Sequence, residues 1–86
     1  MYNGLVNKKR MVYKMKKVGV KIENKGTYKY FYSLYEVNKC VESLLENLKE
    51  DEAVEIKVGN NHYYIDYDNK DWDRHYEYYV KEYLRN

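Results

Sequence analysis

Residues 33–50, SLYEVNKCVESLLENLKE, decide the reading of the fold. Leu34, Val37, Val41, Leu44 and Leu48 recur at alternating spacings of three and four residues, which places them on one helical stripe with Cys40 and Leu45 beside it. Ser33 stands where an N-cap accepts from the first free amides. Glu36, three residues on, is placed to reach back to the Ser33 N–H, and Tyr32 and Val37 occupy the positions of a hydrophobic staple. The spacing predicts a helix over 33–50 whose apolar stripe faces a core.

Toward the N-terminus the period changes from helical to alternating. Met11, Tyr13 and Met15 share one parity and Val18, Val20 and Ile22 the other, which implies a break at Lys16 and Lys17. Asn24-Lys25-Gly26 fits a short hairpin loop, and Thr27 to Tyr32 reads as the returning strand. Beyond the helix, Val54, Ile56 and Val58 alternate with Glu55 and Lys57. Gly59-Asn60-Asn61 then turns the chain so that His62 to Tyr67 can return antiparallel. From Asp71 onward Trp72, Tyr76, Tyr79, Val80, Tyr83 and Leu84 resume helical spacing, with Glu77 four residues before Lys81 and Arg85 in the last turn. The order ββαββα predicts an α+β domain, a four-stranded antiparallel sheet with two amphipathic helices packed on one face. Residues 11–86 form this single domain, and residues 1–10, MYNGLVNKKR, show no period and read as a flexible basic arm.

An 86-residue chain buries only about 60 to 65% of the surface its unfolded form exposes, so self-association would add to a thin stability margin. The single Cys40 excludes an internal disulfide and suits a reducing compartment. No run approaches a membrane span or an exported signal, so a cytoplasmic setting and no membrane partner are expected. Lys, Asn and Tyr supply 35 residues while Ala appears once and Pro never, the signature of an AT-rich genome. Net charge is only +2, but residues 1–30 carry nine Lys or Arg against Glu23, about +8. Residues 31–86 carry seven against thirteen Asp or Glu, about −6. That asymmetry bears on partners.

Catalytic and metal signatures are not met. Reading Asp66 as the first position of a calcium loop puts Asp68 at the third and Glu77 at the twelfth. Lys70 then stands among the ligands and Asp71 where Gly is needed. Glu55-Ile56-Lys57 has the carboxylate-x-lysine spacing of metal-dependent nucleases but lacks a further acidic ligand, and reads as a polar strand face. His62 and His75 with one Cys cannot build a structural zinc site, and the place of Cys40 beside a core stripe opposes a reactive thiolate. The expectation is a non-enzymatic protein with no cofactor and no metal.

Two surfaces remain. Glu42, Glu46, Glu50, Asp51 and Glu52 gather on the polar side and end of the helix, where like-charged i, i+4 pairs and acid at the C-terminal end are mildly unfavourable for folding. With Tyr63, Tyr67 and Tyr78 they form the expected partner-binding face, meeting a basic, nucleic-acid-handling protein or ribonucleoprotein complex. Thirteen tyrosines exceed what a small core can satisfy; Tyr28, Tyr30, Tyr32, Tyr76, Tyr79 and Tyr83 are expected mostly inside, and Tyr13, Tyr63, Tyr67 and Tyr78 outside. In size, AT-rich composition and lack of a catalytic motif the chain resembles, as a class, the small phage-borne inhibitors of bacterial immunity, anti-CRISPR proteins among them. The resemblance implies an inhibitor or regulator acting by protein–protein contact in a bacterial host. The alternative is a small single-stranded nucleic-acid-binding protein. In it Lys8, Lys9, Arg10, Lys14, Lys16 and Lys17, with Lys21, Lys25 and Lys29, contact phosphates while Tyr13 or strand tyrosines stack on bases.

Overall fold

Strand β1 (Val18–Ile22) pairs with β2 (Lys29–Phe31) and β3 (Ala53–Val58), and β3 pairs with β4 (Asn61–Asp66), all antiparallel, in the order β2-β1-β3-β4. The computed structural model describes residues 16–85; the expected basic arm and residues 11–15 of the first expected strand lie outside them. Helix α1 (Leu34–Glu46) crosses from β2 to β3 over β1, a short 3-10 turn spans Tyr67–Asn69, and α2 (Tyr76–Arg85) ends the chain. The ββαββα order, the antiparallel four-stranded sheet and its two covering helices are as the periodicities predict. No helix among the described residues is long and apolar enough to cross a membrane.

Alternation builds the core. Val18 and Val20 of β1, Val54, Ile56 and Val58 of β3 and Ile65 of β4 leave the sheet on one side. There they meet Val37, Val41 and Leu45 of α1 and Tyr76 and Val80 of α2 in one cluster. Each such buried aliphatic side chain contributes about 1.5–3 kcal/mol. The two hairpins close with the backbone their residues allow. Asn24 and Gly26 take positive φ (63° and 62°) in the first, and Gly59 (φ 63°) is the first of two loop residues in the second.

Four local expectations need correction. Helix α1 stops at Glu46 rather than Glu50: Asn47 caps it through its N–H to the Leu44 and Leu45 carbonyls. The acids that follow oppose continuation at the negative end of the helix dipole. Its buried stripe is Val37, Val41 and Leu45, continued by Leu48 in the turn, and Leu44 sits half-exposed at the margin. At the N-terminus Ser33 Oγ accepts from the Glu36 N–H (3.2 Å), but the Glu36 carboxylate reaches the Tyr32 N–H (3.3 Å) instead of that of Ser33. Helix α2 begins at Tyr76, not Asp71. The Asn69 carbonyl takes the Trp72 and Asp73 amides into a turn, so Trp72 is 71% exposed and Tyr76 occupies the buried position.

Candidate nucleic-acid interface

Both helices pack on one side of the sheet, which leaves the other side without a covering element among the described residues. Pairing registers decide what stands there. Gly19 faces Tyr30 across the β1–β2 ladder and Lys57 across β1–β3, and Lys57 faces His62 across β3–β4. In the next row of this face Lys21 faces Glu55, and Glu55 faces Tyr64. Tyr28, two residues before Tyr30, lies over Gly19: a Cβ built at Gly19 would come within 2.9 Å of the Tyr28 ring and 3.0 Å of the Tyr30 ring. The glycine is what lets both rings lie down on β1.

Cations interleave with these rings. Lys17 Nζ stands 4.3 Å from the centroid of Tyr30, and Lys21 and Lys57 stand 4.9 and 5.5 Å from that of Tyr28. The Tyr28 and Tyr30 centroids are 5.9 Å apart and the rings are tilted by 42°. Tyr30 and Tyr64 remain 40% and 41% exposed, enough to offer part of a ring face.

At the centre lies a carboxylate that is only 6% exposed although it points away from the helices. Glu55 Oε2 accepts from the Tyr28 hydroxyl and from His62 Nδ1 at 2.6 Å. A carboxylate only accepts, so Nδ1 carries the proton and Nε2 is the other ring nitrogen. Burial by itself would raise the Glu55 carboxyl, but the bonds from Tyr28 and His62, aided by the nearby Lys21, hold it below the usual carboxylate range. Burial, then the bond to Glu55, pushes the Tyr28 phenol up to about 12, so it stays a donor. The central acid of this field is therefore internally bonded, the charge of exposed Glu23 reaches Tyr64, and Lys17, Lys21 and Lys57 supply the positive charge around the rings.

The structure divides the expected partner-binding residues: Glu50, Asp51, Glu52 and Tyr67 line one depression, whereas Glu42 and Tyr63 are engaged elsewhere. Glu42 accepts from Arg74 Nε and Nη2 (2.9 and 3.2 Å), and Glu52 binds Lys25 Nζ (2.6 Å) and caps the Lys49 amide (2.9 Å). Glu46, Glu50 and Asp51 are exposed. Tyr63 and Tyr67, expected outside, are partly buried against the core because their parity in and beyond β4 points them toward the helices. Tyr63 stacks on Tyr79 at 4.5 Å. Tyr78 is exposed. Conversely Tyr30, Tyr32 and Tyr79, expected mostly inside, are exposed, while Tyr76 is fully buried and Tyr83 packs against the core. Of the expected nucleic-acid contacts, Lys17 lies on the open face and Lys16 lies over the Tyr83 ring of α2 (5.1 Å). Lys8, Lys9, Arg10, Tyr13 and Lys14 lie outside the described residues. Tyr64, Lys57 and His62 were not foreseen as part of one surface. The alternation of Glu55 and Lys57 against Val54, Ile56 and Val58 was the signal that placed both on a common outer face.

No protein-family model, curated protein or solved structure matches the chain significantly, so the reading of this face rests on its own geometry.

Proposed function

We infer that the chain is a small single-stranded nucleic-acid-binding protein whose open sheet face is the binding surface, with the basic N-terminal half contributing to it. The observation that carries this reading is the juxtaposition of Tyr28, Tyr30 and Tyr64 with Lys17, Lys21 and Lys57 on the sheet face that no helix among the described residues covers. Bases stack on the rings while ammonium groups neutralise phosphates. The energies favour this exchange: an exposed lysine over a ring is worth about 0.5–1 kcal/mol, whereas a base on an aromatic ring is worth about 1–3 kcal/mol. Displaced lysines then turn to the backbone. A flat face suits unpaired bases, because a duplex hides its ring faces.

The docking of an acidic helix face on a basic partner is less well supported, since Glu42 and Glu52 already hold Arg74 and Lys25 within the fold. We place the activity in the bacterial cytoplasm, in keeping with the single thiol and the composition. A phage-borne regulator that acts by occupying single strands is the form that the resemblance of class takes here.

Fluorescence anisotropy with labelled single-stranded oligonucleotides tests the reading. Binding that uses three lysine–phosphate contacts should weaken with salt along a log–log slope of about −2. Tyr30→Ala and Tyr64→Ala should each lose roughly 1–3 kcal/mol of affinity with little change in melting temperature. Absence of binding at low salt sinks the proposal. Binding that survives both substitutions with its salt slope intact relocates the site to the basic residues before Lys16.

A further inference from the structure

A second concave feature lies on the helix side of the sheet, where the β1–β2 hairpin runs past α1. A cavity of about 630 Å³ opens there, within the size range of small-molecule sites. Strand β2 is three residues long and forms the sheet edge, so α1 overhangs it without closing onto it. Ile22, Phe31 and Leu44 pack on the core with one side left open, and together with Val20 they make an apolar floor beside Cys40.

The rim is cationic. Lys29 pairs with Val20, a core residue, so its side chain leaves the sheet on the helix side and overhangs this floor. Burial holds the Cys40 thiol above its usual range, and the nearby Lys29 ammonium acts against that, which places the charge close to the groove wall. Lys39 stands on the α1 side of the mouth, its ammonium 5.6 Å from the Tyr35 ring centroid, and neither it nor Lys29 is ion-paired among the described residues. Glu36 is the one carboxylate in the lining, and the helix cap engages it through the Tyr32 N–H and Ser33 Oγ. An apolar floor under two unpaired ammonium groups disfavours the chain's own N-terminal segment, since residues 1–15 carry four Lys or Arg and no acid.

We propose that the groove between the β1–β2 hairpin and α1 binds a single-chain anionic amphiphile, its carboxylate head held by Lys29 and Lys39 and its alkyl tail laid on Ile22, Phe31 and Leu44. The site lies across the sheet from the tyrosine face, so it stands or falls independently of nucleic-acid binding.

Cys40 is the chain's single cysteine and serves as the reporter. The rate of its alkylation by a neutral maleimide is measured against rising octanoate, decanoate and laurate below their micelle concentrations, with dodecyltrimethylammonium as the cationic counterpart. Laurate should protect the thiol saturably, with affinity rising about fourfold per added methylene along the series. The cationic amphiphile should not protect. Lys29→Gln combined with Lys39→Gln should weaken laurate at least about fivefold, with an unchanged melting curve. Calorimetry on Leu44→Trp, which fills the floor, should show loss of laurate binding in a protein that still melts cooperatively. No saturable protection by laurate, equal protection by the cationic amphiphile, or unchanged affinity in the double lysine variant would each overturn the proposal.

Discussion

His62 Nδ1 lies 2.6 Å from Glu55 Oε2, and the same oxygen accepts from the Tyr28 hydroxyl, so one buried carboxylate joins β4 to the segment leading into β2 across the outer face of the sheet. These bonds keep the Glu55 carboxyl below its ordinary value of 4.5, and similar bonding depresses two other carboxyls. Lys25 and the Lys49 amide act on Glu52, and the bonds from His75 outweigh burial at Asp73. The unfolded chain, with ordinary carboxyls, takes up protons first as pH falls. The stability they contribute is therefore present above the ordinary carboxylate range and is lost as pH falls through the depressed values. Glu55→Gln should cost roughly 1–2 kcal/mol near neutral pH, because a bond to a charged acceptor is replaced by one to a neutral amide. The gap between variant and parent should narrow on acidification. Urea unfolding at a series of acidic pH values checks this, and a gap that is constant with pH refutes it.

Gly19→Ala tests whether the glycine holds the tyrosine face flat. The new methyl would meet the Tyr28 ring at 2.9 Å, and that ring is tethered through its hydroxyl to Glu55, so it cannot simply swing away. We expect a loss of about 1 kcal/mol in stability, crowding being offset in part by the lower backbone entropy of alanine. Oligonucleotide affinity should fall by more than that in anisotropy titrations. Equal affinity in the variant would show that the rings are not the docking surface.

Leu44 and Leu45 are adjacent in sequence and differ in burial, Leu45 in the core and Leu44 at the groove margin. Leu45→Ala should cost roughly 2–4 kcal/mol through lost burial and a residual cavity, and Leu44→Ala about 1 kcal/mol. Denaturant midpoints at constant m-value give both numbers. Equal losses would mean that α1 is rotated from its described register.

Arg74 ties the turn before α2 to the outer side of α1 through Glu42, at 2.9 and 3.2 Å. The pair lies at the surface, so a double-mutant cycle with Glu42→Gln and Arg74→Gln should return a coupling of about 0.2–1 kcal/mol that shrinks with added salt. Glu46→Gln, which relieves the like-charged i, i+4 pair with Glu42 on α1, and Glu50→Gln, at an exposed position beyond the helix end, should leave stability unchanged or slightly raised. A destabilised Glu46→Gln, Glu50→Gln variant would show that these two carboxylates have structural roles as well.

Local order was legible from the chain alone because it depends on neighbours a few residues apart. The period of three and four in 34–48, the alternation in 54–58, the positive-φ residues at Asn24, Gly26 and Gly59 and the Ser33 cap each specify an element wherever the rest of the chain lies. The class, the order of elements and most of the aliphatic core positions follow from them. What the tertiary structure alone decided is that β1 and β3 are neighbours, joining the two hairpins into one sheet, and therefore which side chains share a surface. Placing β1 between β2 and β3 sets Lys21 against Glu55 and Gly19 between Tyr30 and Lys57, residues up to 38 positions apart. Exposure of the tyrosines was misassigned for the same reason: Tyr30, Tyr32 and Tyr79, expected inside, are exposed, and Tyr63 and Tyr67, expected outside, pack on the core. A tyrosine suits a core and a wet face almost equally, so Tyr63 and Tyr64 differ only because the pleat sends one toward α2 and the other away from both helices. A phenol carries no preference strong enough to choose its side, and the packing of distant aliphatic residues chooses it instead.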